Sequence, residues 1–159
     1  MPATPVSGGA GVPASPATGH GHGSDQEGRN VSIGGFVAIG AGGAVGCWLR
    51  WGLGAWLNPV FPTLPLGTLA ANLAGGLLMG LVMGLFDHFQ TLPPALRLLV
   101  FTGFLGGLTT FSTFSGEATT LLLRQQYLWL SGHVLVHVIG SLGMTMLGLL
   151  LARGLLQHA

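Results

Sequence analysis

The sequence predicts an all-α integral membrane protein of four transmembrane helices, with a break in the third. Composition supplies the first observation. Of 159 residues, 49% are hydrophobic and 6% are charged, where a soluble domain carries about 25% charged residues. Lysine is absent, and such a chain cannot cover itself with a solvated surface. The second observation is spacing: the apolar residues fall into four blocks, each near the ~20 residues that cross a bilayer. The third is the stretch Gly103–Phe114, GFLGGLTTFSTF, which packs three glycines, four hydroxyls and three aromatics into twelve positions with no charge between Arg97 and Glu117. Loosened backbone at membrane depth is tolerated only where protein or a water-filled cavity surrounds it. The stretch is therefore expected to line a path for something polar. A net charge of +1 argues against a nucleic-acid partner, which needs a basic face.

Residues 1–30 are rich in Gly, Pro, Ala, Ser and Thr and are expected to form a disordered tail ahead of a membrane domain over residues 31–159. They have neither the basic n-region nor the apolar h-region of a signal peptide. His20 and His22 in this tail are either a weak metal-binding pair or, on the reading preferred, tail residues without a role. The first span covers about residues 32–57 and ends at Asn58-Pro59. Cys47 within it is alone in the chain, so no intrachain disulfide is possible. The second span runs over 66–86 and stops at Asp87-His88. The third opens at Pro94, suited to a first helical turn, and runs over 94–123. The fourth covers 127–152 and stops at Arg153. Short connections make neighbouring spans antiparallel.

Gly42 and Gly46, then Gly76, Gly80 and Gly84, recur at intervals of four, the spacing that lets membrane helices approach closely. Four helices packed this tightly leave little room for an internal pore, which favours assembly with a second copy. The arginines say how. Arg29, Arg97 and Arg153 fall on the side of the termini, and Arg50 and Arg124 on the other. The positive-inside bias that orients membrane proteins is nearly absent. Insertion both ways, and pairing of inverted copies, is the expectation.

Polar groups at membrane depth are functional candidates. Arg50 is either a snorkelling anchor beside Trp48, Trp51 and Trp56 or a vestibule charge that attracts an anion. Asn72 is either helix–helix glue or a donor to a permeating anion. His133, His137, Ser141 and Thr145 are spaced by four, and so make one polar stripe on the fourth helix. Glu117 can be a helix-end residue, a proton carrier or a hydrogen-bond partner. Phe111 and Phe114 share a helix face, and aromatic ring edges are electropositive. With the hydroxyls of Thr110, Ser112 and Thr113 they suit a small desolvated anion. The Gly106-Gly107-Leu108-Thr109 run offers backbone carbonyls, oxygen groups that suit a hard cation such as Na⁺.

Three segments together resemble the CrcB/Fluc fluoride channel family: Gly42–Arg50 (GGAVGCWLR), Gly67–Gly75 (GTLAANLAG) and Gly103–Phe114. The similarity covers about residues 32–153. It implies a dual-topology antiparallel homodimer in a bacterial-type plasma membrane, conducting fluoride through two pores. It implies that Phe111, Phe114 and Asn72 line the pore, that Arg50 stands in the vestibule, that Ser112 and Thr113 belong to the polar track, and that Glu117 lies beyond it. It further implies that Gly106 and Thr109 hold a structural Na⁺ at the dimer interface through their carbonyls. His133 and His137 depart from the serine, threonine or tyrosine usual in the family. They raise the expectation of pH-sensitive conduction, since imidazole titrates near neutrality.

The chief alternative is a small proton-coupled exporter of the multidrug type. Its mechanism needs a carboxylate in the first span, and the only candidate here is Glu117 in the third. A membrane enzyme would have to combine Ser112, His137 and Glu117, with no nucleophile elbow around Ser112.

Overall fold

The computed structural model describes residues 33–89 and 91–157, so the tail, with His20 and His22, lies outside the described residues. The described regular structure is all helical. Helix α1 spans Ile33–Leu57 and is followed by a 3₁₀ turn at Asn58–Val60. Helix α2 spans Leu66–His88. The third span is a succession of pieces: α3 (Pro94–Arg97), a π-helical segment (Leu98–Leu105), α4 (Gly106–Leu108) and α5 (Phe111–Leu123). Helix α6 spans Tyr127–Leu156. Among the described residues, four helical segments are thus long and apolar enough to cross a membrane.

Local chemistry explains the ends. Asn58 Oδ1 accepts the Gly67 N–H at 2.8 Å, which satisfies one of the orphan donors in the first turn of α2. Pro94 takes the first turn of α3, where a missing N–H costs nothing. Helix α5 closes with Gln125 at φ 57°. Gln126 N–H reaches Leu121 O at 3.0 Å and Gln125 N–H reaches Leu122 O at 2.9 Å, the paired bonds of a Schellman stop. Helix α6 runs one turn past Arg153, because a long arginine side chain can snorkel without ending a helix.

Two close helix pairs set the architecture: α2 against α6, and α1 against the π-helical segment and α4. Both rest on absent side chains. A Cβ on Gly80 would strike the Thr145 carbonyl, and one on Gly148 the Leu77 carbonyl. On the other pair, a Cβ on Gly46 would strike the Phe104 carbonyl, and one on Gly107 would come within 2.5 Å of the Gly43 carbonyl. Backbones this close gain dispersion contacts that larger residues would forbid. The buried apolar core is correspondingly small, with Leu105, Leu108, Phe114 and Leu121 at its centre. Large apolar side chains such as Trp56, Leu128 and Leu142 face outward, as expected where the surrounding solvent is lipid.

One expectation is corrected. The glycine pair does not loosen the backbone: Gly106 stays helical at φ −63°, ψ −35°, and Gly107 serves the approach to α1. The backbone instead turns extended two residues after Gly107, at Thr109 (φ −83°, ψ 156°) and Thr110 (φ −151°, ψ 113°). β-Branched threonines favour extended conformations, and the Asn72 side chain of α2 holds Thr110 there.

Candidate functional site

Thr109 and Thr110 form the centre of the site. An unbroken helix would give the Thr110 N–H to the Gly106 carbonyl; here it donates to Asn72 Oδ1 at 2.8 Å. That bond fixes the orientation of the Asn72 amide, since the N–H must meet an oxygen. Asn72 Nδ2 then donates to the Thr110 carbonyl at 3.2 Å and to His137 Nδ1 at 3.2 Å. One asparagine on α2 thereby substitutes for helical bonding on the third span and ties it to α6. Both its amide hydrogens are engaged.

The neighbouring carbonyls are served in the same piecemeal way. Arg50 Nε donates to Gly107 O at 3.0 Å. Thr109 donates to Leu105 O through both its N–H, at 3.0 Å, and its hydroxyl, at 2.9 Å. Thr110 caps α5, its Oγ1 accepting the Thr113 N–H at 3.1 Å. The same oxygen lies 3.0 Å from Thr113 Oγ1 and 3.2 Å from Ser112 Oγ. Three hydroxyls therefore cluster at a helix N-terminus, whose dipole favours negative charge.

Two cavities meet at Thr110. The larger, about 440 Å³ and open to the surface, is lined by Asn72, Thr109, Phe111, Phe114, His137, Ser141 and Thr145 among others. The smaller, about 250 Å³, is lined by Arg50, Trp51, Asn58, Thr68 and Thr113 among others. Thr110 lines both. The sequence-selected residues thus divide: Arg50 and Thr113 stand on one side, and Asn72, Phe111, Phe114, His137 and Ser141 on the other.

Phe111 and Phe114 meet with ring centroids 5.5 Å apart, but their burial differs sharply. Phe114 is 9% exposed and Phe111 79%. Phe114 stacks on His133 (5.2 Å) and lies tilted against His137 (4.9 Å), and the two imidazoles are 4.4 Å apart. The polar stripe of α6 therefore faces inward: His133 and His137 are buried, and Ser141 and Thr145 line the larger cavity. Thr145 spends its hydroxyl on the Ser141 carbonyl at 2.9 Å.

Glu117 accepts the Thr68 hydroxyl on Oε1 at 2.6 Å, and its Oε2 lies 3.6 Å from His133 Nε2. His133 Nε2 is also 3.4 Å from the Phe114 carbonyl. Sequence reasoning passed over Thr68, which is 5% exposed. Its signal was available: it lies four residues before Asn72 on α2, hence on the same face. Ser112 bonds Thr110 rather than either histidine, so the catalytic combination is not assembled.

The Gly106 carbonyl is the one an unbroken helix would pair with the Thr110 N–H, and the Thr109 carbonyl shares a peptide unit with that N–H, which goes to Asn72 instead. Gly106 is exposed in the single chain. As backbone oxygens they are of the class a hard cation takes, so they fit a Na⁺ site in donor chemistry.

Residues 37–149 match the family model described as CrcB-like protein, Camphor Resistance (CrcB). A protein of Nitrosospira multiformis named fluoride-specific ion channel FluC is 60% identical over 123 residues, covering 77% of this chain and 96% of the relative. Proteins of the same name from Cupriavidus taiwanensis and Aromatoleum aromaticum are 56% and 57% identical, covering 72% and 71% of this chain and 91% and 86% of theirs.

Proposed function

Because the chain belongs to the CrcB family, we propose that it is a fluoride-specific ion channel, giving passive fluoride efflux from the cytoplasm and so resistance to fluoride. It is not an enzyme. The observation that carries the reading is the interruption at Thr109–Thr110, braced by Asn72 and flanked by Phe111 and Phe114. A small, strongly hydrated anion must be desolvated without being trapped. Ring edges, hydroxyls and an amide offer partial positive charge, whereas a full cation at the narrowest point would hold the ion. Arg50, set apart in the neighbouring recess, is placed to attract rather than to bind.

A channel is sufficient for the task. HF crosses a bilayer neutral and ionises inside a near-neutral cell, and the anion leaves down the membrane potential, worth about 2.3 kcal/mol per charge per 100 mV. No coupling carboxylate is required, and α1 contains none, so nothing favours the exporter reading.

The working unit is an antiparallel homodimer in the bacterial plasma membrane. Support comes from the near-even arginine count, from Phe111 standing 79% exposed at mid-span and from a larger cavity that is open in the single chain. A second, inverted copy would cover both. The broken third spans of the two copies would then meet, with Gly106 and Thr109 placed to hold Na⁺ through their carbonyls; when bound, it would neutralise the opposed oxygens.

The test is reconstitution in liposomes with fluoride- and chloride-selective electrodes. Fluoride release without chloride release is expected, from protein whose tagged termini label on both faces. Equal flux of both ions, or none, refutes the channel; a single uniform orientation refutes the inverted pairing.

A further inference from the structure

We propose that Glu117, His133 and His137 together bind a transition-metal dication of the zinc class, and that an ion held there stops fluoride passage. The second half rests on the channel reading above; the first stands without it.

The three groups come from two elements. His133 and His137 sit one turn apart on α6, and Glu117 faces them from α5. One ligand atom from each lies within 4.8 Å of the other two. Ligands sharing one zinc ion at bonds of about 2.0 Å are roughly 3.3 Å apart. The cluster must contract, and rotation of two imidazoles and a carboxylate can supply that. Two imidazoles and one carboxylate are the set that borderline metals take, while Na⁺ and Ca²⁺ favour all-oxygen sites. This site would therefore differ in kind from the Gly106 and Thr109 carbonyls.

A second observation points the same way. Glu117 Oε2 and His137 Nε2 are both buried and have no hydrogen-bond partner among the described residues. His137 is 5% exposed. A buried polar atom left unpaired is costly, and here an acceptor and a ring nitrogen are left over in one cluster. An ion between them would serve both. One outer contact is that of a supported metal site: Thr68 holds Oε1 of Glu117 at 2.6 Å, leaving Oε2 for the ion.

The Asn72 contact also says how metal would reach the pore. Asn72 Nδ2 donates to Nδ1, so the neutral His137 ring carries its proton on Nε2. To coordinate through Nε2 the proton must move to Nδ1, which faces a donor. The Asn72–His137 bond must then open, and Asn72 is the residue that braces Thr110. The dication would also sit beside Phe114, whose ring is 4.9 Å from His137, and would hold fluoride where the pore should release it.

The experiment uses the tag-free full chain carrying His20→Ala and His22→Ala, which removes the other histidine pair. Binding is read by Co²⁺ visible absorption and its displacement by Zn²⁺; flux is read as fluoride efflux from liposomes with and without ZnCl₂. Expected are Co²⁺ bands of a nitrogen–oxygen site, lost in His133→Gln and in His137→Ser. Efflux should be slowed by Zn²⁺, restored by a chelator, and insensitive to Zn²⁺ in His133→Gln. Thr68→Val should weaken metal affinity about 10-fold, as loss of a supporting contact does. No Co²⁺ bands in the parent, or bands unchanged in both histidine variants, overturns the site. Binding with undiminished efflux overturns the block. Metal binding by a protein that passes no fluoride at all would leave the site standing and refute the channel reading.

Discussion

Asn72→Asp separates bracing from charge at the centre of the site. The substitution is nearly isosteric and keeps the oxygen that accepts the Thr110 N–H at 2.8 Å. It replaces the donor that serves the Thr110 carbonyl and His137 Nδ1, both at 3.2 Å. Two neutral hydrogen bonds contribute about 0.5–1.5 kcal/mol each, so the fold should lose about 1–3 kcal/mol. That is survivable against the roughly 5–15 kcal/mol typical of a folded protein. The effect on flux should be larger. An anion passing about 4 Å from the new carboxylate meets about 4 kcal/mol of repulsion at an effective dielectric constant of 20, which is roughly a 10³-fold slower passage. Repulsion acts only when the carboxylate is ionised, so the defect should deepen as pH rises. Fluoride-electrode efflux, alongside thermal unfolding of the same preparation, reads both quantities. A folded variant with flux within tenfold of the parent at alkaline pH would refute the placement of Asn72 on the fluoride path.

Further outcomes follow from the packing and the rings. Gly80→Leu should lower the thermal midpoint markedly, because its Cβ would meet the Thr145 carbonyl and Leu149 N at 2.7 Å, and overpacking costs about 1–3 kcal/mol or more. Gly132→Ala, with nothing within 4 Å of the added carbon, should leave the midpoint unchanged or slightly raised, and differential scanning fluorimetry distinguishes the two. Phe111→Ile should leave the single chain's fold intact, since that ring is 79% exposed, yet cut fluoride efflux; equal efflux in liposomes would remove Phe111 from the pore.

Much of the site was legible because its signals are local. The interval of four on α6 placed His133, His137, Ser141 and Thr145 on one face, and the structure turns that face inward. Phe111 and Phe114, three residues apart, have rings in contact. Their unequal burial was not legible, since helical spacing states direction and not what lies opposite. The same reason hid Thr68, an unremarkable threonine until Glu117, forty-nine residues away, accepts its hydroxyl.

By itself the sequence determined the membrane class, the four spans and the family, since hydropathy, span length and a twelve-residue motif are written along the chain and need no partner. Only the tertiary structure decided where the third span departs from the helix. Glycine content pointed to Gly106 and Gly107; the departure is at Thr109 and Thr110. At Thr110 helical bonding is replaced by Asn72, thirty-eight residues away, while Gly107 serves the close approach to α1. Propensity weighs a residue against its own backbone, but a hydrogen bond from another helix outweighs it, and such a bond exists only once the helices have packed.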